Sequence, residues 1–245
     1  MTTGDAQYYQ RTVLKECVVS DFLGESRNLR VFLPPGYNEL LSYPVLYCQD
    51  GEDFFNFGRA ATTATRLILD ENMSPFLIVG VDVDKKVRTE EYAPDGSRFQ
   101  AYCGFFAEEL IPWVEQRFAA RPSRDERLLA GDSLGGTVSL HLALDYPELF
   151  NQVIALSGAF LPSSSARVAR ETDLSWLKLY QLIGLDEDEV KTDRGRFDFL
   201  SLNREMKVLL EARGTQLVYE EKPGKHVWGL WQAALPEALK KFWEI

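Results

Sequence analysis

Histidine and cysteine are scarce in this chain, and their scarcity removes whole classes of chemistry. The two histidines and the three cysteines Cys17, Cys48 and Cys103 stand at no metal-ligand spacing, so neither a zinc centre nor any other metal or cofactor is expected. The odd cysteine count offers no disulfide framework and fits a reduced, cytoplasmic compartment. Positive charge is also in deficit. Lys and Arg total 27 against 37 Asp and Glu, a formal net charge of −10, which argues against nucleic acid and anionic membranes as partners. No apolar run approaches membrane-spanning length. Met1–Gln10 is polar and lacks the apolar core of a leader peptide. No internal repeat appears, and no Pro/Ser/Gly-rich linker divides the 245 residues, so residues 1–245 read as one domain with a large core.

The most informative stretch is Leu128-Leu129-Ala130-Gly131-Asp132-Ser133-Leu134-Gly135-Gly136. An apolar strand runs into a sharp turn, and a helical run, Thr137–Tyr146, follows at once. Gly131, Ser133 and Gly135 fit the G-x-S-x-G pattern of a nucleophile elbow. Such a serine sits at the tip of a strained turn where neighbouring Cβ atoms clash, and glycines two residues before and after remove the clashes. The turn also aims free helix N–H groups at the serine, where negative charge develops in acyl transfer.

Around this stretch the pattern alternates. Thr12–Ser20 and Ser26–Leu33 read as a strand pair about Asp21–Gly24. Tyr43–Cys48 and Pro75–Val83 read as buried strands with a helix, Gly58–Asp70, between them. Asp84–Tyr102 is a long polar segment, and Phe105–Phe118 a helix. Arg127–Ala130 feeds the elbow, Val153–Ser157 is the next strand, and Phe160–Trp176 has no clear period, enough for a small cap at most. Leu177–Ile183 is a strand that runs into Gly184 and the acidic run Asp186-Glu187-Asp188-Glu189. Asn203–Ala212, with Gly214 as its C-terminal stop, then Gln216–Glu220 and Trp228–Trp243, complete a strand–helix alternation. The expected fold is α/β: a mostly parallel sheet with helices on both faces and an antiparallel edge, organised as an α/β-hydrolase with a small or absent lid. In such sheets the site lies at the carboxyl ends of the strands.

A serine hydroxyl needs a base at neutral pH. His141 stands eight residues beyond Ser133 on the same helix, about 12 Å along its axis, too far to bond. His226 follows the last strand in a loop behind Pro223-Gly224 and is the expected base. A carboxylate should orient its imidazole. The chain order Ser…acid…His places that acid after Ile183, where Asp186, Glu187 and Asp188 all stand. The oxyanion hole calls for the N–H of Leu134 and one from the turn Gln49-Asp50-Gly51-Glu52, with the Glu52 N–H as the expected second donor. Phe54, Phe55, Tyr92, Phe99, Tyr102 and Trp228 are candidates for pocket walls. Arg88 is expected to pair a substrate carboxylate, or Glu90 or Glu91.

Several segments together resemble the putative-esterase group of α/β-hydrolases, which includes enterochelin esterase-like and esterase D-like proteins. They are Tyr47–Phe55, Glu91-Tyr92-Ala93-Pro94, Glu108–Pro112, Gly131–Gly136, Tyr146–Phe150, Ser157–Phe160 and His226-Val227-Trp228. The resemblance covers nearly the whole chain from about Arg30 onward. It implies a Ser, acid, His set and hydrolysis of small carboxylic esters or thioesters without a cofactor. It also implies the acid's place, three positions after a strand-ending glycine. Counting from Gly184 gives Glu187, with Asp188 and then Asp186 as alternatives. Acyl transfer to another acceptor by the same residues is the alternative reaction. A catalytically silent binding protein is the alternative of a different class, and the retained Ser133, His226 and acid oppose it.

Overall fold

The computed structural model describes residues 11–243; the Met1–Gln10 reading lies outside them. β1 (Thr12–Ser20) and β2 (Glu25–Leu33) form an antiparallel pair about Gly24, whose φ of 67° is one that glycine adopts without steric cost. The chain then enters β3 (Val45–Cys48), all four residues buried. It passes directly into α1 (Gly51–Asn56) and α2 (Ala60–Asp70), then β4 (Leu77–Val81). The polar segment is not a plain loop: it contains α3 (Arg88–Tyr92), and α4 (Phe99–Gly104) begins inside it. From Phe99 the helical run is continuous to Arg117, through a π-helical turn at Phe105–Leu110 into α5 (Ile111–Arg117). Pro112 at the start of α5 supplies no N–H and would crowd a regular preceding turn, and the widened turn accommodates it.

β5 (Arg127–Asp132) feeds the elbow and α6 (Leu134–Asp145) leaves it, starting three residues earlier than the sequence pattern indicates. β6 (Gln152–Leu156), α7 (Pro162–Ala169), β7 (Lys178–Gly184) and a small hairpin, β8 (Val190–Thr192) with β9 (Gly195–Phe197), follow. The chain ends with α8 (Phe199–Ala212), β10 (Gln216–Lys222) and α9 (Trp228–Lys240). α8 is closed by Gly214 at φ 79°, as the sequence indicates. The helix α7 fills part of the segment that shows no period.

Eight strands lie in the order β1-β2-β4-β3-β5-β6-β7-β10, antiparallel from β1 through β4 and parallel thereafter. Alternate residues of the central strands face opposite ways. Tyr47, Leu129, Val153 and Leu179 join a core with α4 to α6 and α8, while Cys48, Leu128, Ile154 and Leu182 join one with α1, α2 and α9. Strands covered on both faces carry no polar side, which is why they read as continuous apolar runs. The parallel strands therefore bring their carboxyl ends, with Asp50, Ser133, Ser157 and Glu187 just beyond them, to one edge.

Candidate active site

At the elbow the backbone carries the strain the sequence implies. Ser133 has φ 53° and ψ −123°, a region that side chains rarely occupy unless the surroundings enforce it. A Cβ on Gly131 would lie 2.1 Å from the Gly135 carbonyl carbon, so no other residue fits there. The turn is pinned from the adjacent strand: the Ser133 N–H donates to Leu156 O at 2.9 Å and Ser133 O accepts from the Ala159 N–H at 3.0 Å. The N–H of Leu134 opens α6 and has no acceptor within its own helix.

Of the acidic run only Glu187 turns inward. It is 0 % exposed, whereas Asp186, Asp188 and Glu189 are exposed. Its Oε2 lies 2.6 Å from His226 Nδ1. Its Oε1 accepts from Ser157 Oγ at 2.6 Å and from the Gly184 N–H at 2.9 Å. The Ser157 hydroxyl, the Gly184 N–H and the His226 ring nitrogen leave neither oxygen of this buried carboxylate without a partner. The sequence reading assigned no role to Ser157, which stands just past β6 at φ 49°. Its hydroxyl donates to Glu187 and accepts from Trp231 Nε1 at 2.8 Å. The Trp231 ring also meets the His226 ring edge-on, with centroids 4.9 Å apart, and Phe199 packs on the imidazole at 5.0 Å. Trp231 and Phe199 thus hold the ring while Glu187 orients it. Glu187 and His226 are hydrogen-bonded; among the described residues no such bond links His226 to Ser133, a contact that often tightens only with substrate bound.

His141 is elsewhere. It is buried, its Nε2 is 3.0 Å from Ser164 Oγ, and burial, with Arg167 nearby, pulls its pKa down to about 4. Among the described residues no group of His, Cys, Asp and Glu is arranged to hold a metal ion. Cys17, Cys48 and Cys103 are free thiols.

Glu52 opens α1. Its side chain points to Arg30 at 2.8 Å, and its N–H is within reach of the Asp82 carboxylate. The expectation for Arg88 needs correction. Arg88 binds Asp50, with two bonds of 2.7 Å, because its nearer acids are taken: Glu91 by Arg27, at 2.7 and 2.8 Å, and Glu90 by Ser97. Four of the candidate pocket aromatics, Phe54, Tyr92, Phe99 and Tyr102, are at most 2 % exposed and belong to the core. Phe55 and Trp228 remain half-exposed. Asp132, within the elbow itself, is 6 % exposed, and its Oδ1 has no hydrogen-bond partner among the described residues. Burial and the neighbouring Asp50 charge push its pKa up to about 7. Among the described residues no helix is long and apolar enough to cross a membrane.

Known proteins share this arrangement of elements. The chain is 38% identical over 232 residues to the protein YjcH of Bacillus subtilis (strain 168), described as uncharacterized, covering 94% of this chain and 97% of that one. A ferulic acid esterase structure superposes with a TM-score of 0.81 at 20% identity, covering 95% of this chain and 98% of its own. An enterochelin esterase from Shigella flexneri superposes with a TM-score of 0.80 at 20% identity, covering 95% of this chain and 58% of its own. At such identities these two likenesses establish the α/β-hydrolase fold. The family described as "Putative esterase" matches residues 20–242, and to that family of carboxylic ester hydrolases this chain belongs.

Proposed function

We propose that the chain hydrolyses small carboxylic esters or thioesters through an acyl-enzyme on Ser133. His226 Nε2 takes the Ser133 proton as Oγ attacks the ester carbonyl. The tetrahedral oxygen is held by the N–H groups of Leu134 and Glu52, at the starts of two helices at neighbouring strand ends, the Glu52 N–H leaving the Asp82 carboxylate for the oxyanion. His226 then returns the proton to the leaving group, and water repeats the sequence on the acyl-enzyme. Glu187 keeps the Nδ1–H tautomer and stabilises the imidazolium as it forms. The observation that carries this reading is the buried Glu187 carboxylate, 2.6 Å from His226 Nδ1, at the same sheet edge as a serine held at φ 53°. Three free cysteines fit its operation in a reducing, cytoplasmic compartment.

A serine-directed organophosphorus probe tests the reading. It should add one label, at Ser133, and abolish turnover of an activated ester. Ser133→Ala and His226→Ala should each lose several orders of magnitude in kcat with the fold intact, while His141→Gln keeps kcat near wild type. Full activity in the labelled protein or in His226→Ala overturns the assignment.

A further inference from the structure

Arg88 lies outside the Ser133, His226 and Glu187 group, and its hydrogen bonds run to the turn facing the elbow and to the elbow itself. Its Nε donates to Asp50 Oδ1 and its Nη2 to Asp50 Oδ2, each at 2.7 Å. This two-pronged geometry fixes a carboxylate in orientation as well as distance. The same Nη2 donates to the carbonyl of Asp132 at 3.3 Å, one residue before the nucleophile. Tyr92 lies 5.1 Å from the guanidinium, and its hydroxyl accepts from the Asp50 N–H at 3.2 Å. Lys85 Nζ adds a bond to Asp50 Oδ1 at 3.2 Å. The Asp50 side chain is 1% exposed. Burial alone raises its pKa, but Arg88 and Lys85 outweigh that and leave it lowered, so the pair is ionised.

Asp50 is also where the backbone needs outside support. Its φ of 52° and ψ of 51° are left-handed, a region unfavourable for a residue other than glycine. Asp50 ψ sets the peptide that leads into Gly51, and the Glu52 N–H, one peptide further on, lies within reach of the Asp82 carboxylate. The Asp50 carbonyl accepts from the N–H groups of Asp53 and Phe54, which starts α1. Across the gap, a Cβ on Gly135 would lie 3.2 Å from Asp50 Oδ2. The carboxylate therefore rests against the first turn of α6, the helix that Leu134 opens.

We propose that the Arg88–Asp50 ion pair is a positioning strut of the oxyanion hole, setting the separation of the Gly51–Glu52 turn from the Leu134 N–H. It acts on the tetrahedral intermediate through those N–H groups and does not touch substrate. The inference rests on the acyl-enzyme reading above. A buried ion pair is weak evidence of stability, since an apolar pair of equal volume often does as well. Its placement between the two donor-bearing turns gives it a catalytic use. Misplacing a donor by about 1 Å costs on the order of 100-fold in rate.

The test compares Asp50→Asn, Arg88→Gln and their combination. Asparagine tolerates the left-handed backbone, so Asp50→Asn removes charge with little added strain. Rates are normalised to the number of sites titrated by the organophosphorus probe, which removes any loss of folded protein. Each single variant should lose about 10- to 100-fold in kcat per titrated site with KM within about threefold. Affinity for a trifluoromethyl ketone that forms a tetrahedral adduct should fall by the same factor. The double variant should lose little more than the worse single one, because the pair acts as a unit. Arg88→Lys, which keeps charge without the two-pronged geometry, should fall between. Wild-type kcat per titrated site in Asp50→Asn and Arg88→Gln, or a loss confined to KM, overturns the strut while leaving the Ser133 reading standing. Wild-type activity in Ser133→Ala removes that reading and the strut with it.

Discussion

Replacing Glu187 by glutamine keeps the side-chain shape and removes the charge, and the donors around it dictate the result. Oε1 receives two donors, the Ser157 hydroxyl at 2.6 Å and the Gly184 N–H at 2.9 Å. Oε2 faces one ring nitrogen, His226 Nδ1, at 2.6 Å. An amide offers one oxygen and one NH₂. Two donors outbid one, so the oxygen takes the Ser157 and Gly184 side, and the NH₂ turns to His226. An Nδ1–H facing an NH₂ is a buried donor–donor contact, which the ring relieves by moving its hydrogen to Nε2. That nitrogen can then no longer accept the Ser133 proton. The corresponding wrong tautomer elsewhere costs ~10⁴ in kcat, equivalent to about 5 kcal/mol of barrier. KM should change little, because Glu187 touches no substrate in this scheme. The assay is steady-state hydrolysis of a p-nitrophenyl ester, with the fold checked by circular dichroism and the His226 tautomer read from imidazole ¹⁵N shifts. The exposed acids supply controls: Asp186→Asn and Asp188→Asn should retain wild-type kcat. A Glu187→Gln variant within about tenfold of wild type, or one that keeps the Nδ1–H tautomer, refutes the reasoning.

Two further outcomes are expected. Ser157→Ala deletes a charge-assisted bond to Glu187 and strands the buried Trp231 Nε1–H; it should cost about 2–4 kcal/mol in denaturant unfolding. Its kcat should fall only about tenfold, because Gly184 still holds Oε1; an unchanged unfolding midpoint contradicts this account. Asp132→Asn should alter the pH dependence of stability. The folded-state pKa, pushed up to about 7 by burial and Asp50 while Arg88, Lys85 and Asp53 also face the group, lies above the unfolded value of about 3.9. The folded protein holds that proton more tightly, so wild-type stability falls as pH rises from about 4 to about 7 and then levels off. The variant's advantage should be absent near pH 4 and reach about 2–4 kcal/mol above pH 7. An advantage independent of pH contradicts it.

The elbow is legible in the sequence because its causes are local. A steric clash within five residues demands Gly131, whose Cβ would meet the Gly135 backbone, and the helix that follows needs no distant partner to be recognised. The sheet is legible for a related reason: β3 to β7 are buried on both faces, so each is a short apolar run whatever its neighbours. His226 as the candidate base follows from scarcity, since the chain's other histidine lies in the helix that follows Ser133. Elsewhere local pattern fails. The helices α1 and α3 are five or six residues long, too short to show a period, and are fixed by contacts with β4 and α6. Within the acidic run, nothing in composition distinguishes Glu187 from its neighbours; only folding buries one and leaves three in solvent. Its partners Ser157 and His226 stand 30 and 39 residues away, and Arg88 reaches Asp50 across 38. Local chemistry can name a candidate nucleophile and a candidate base. Which carboxylate meets the base, which hydroxyl steadies that carboxylate and which arginine braces the facing turn depend on strand order. That order is set by burial of the whole sheet, a property no short stretch of residues carries.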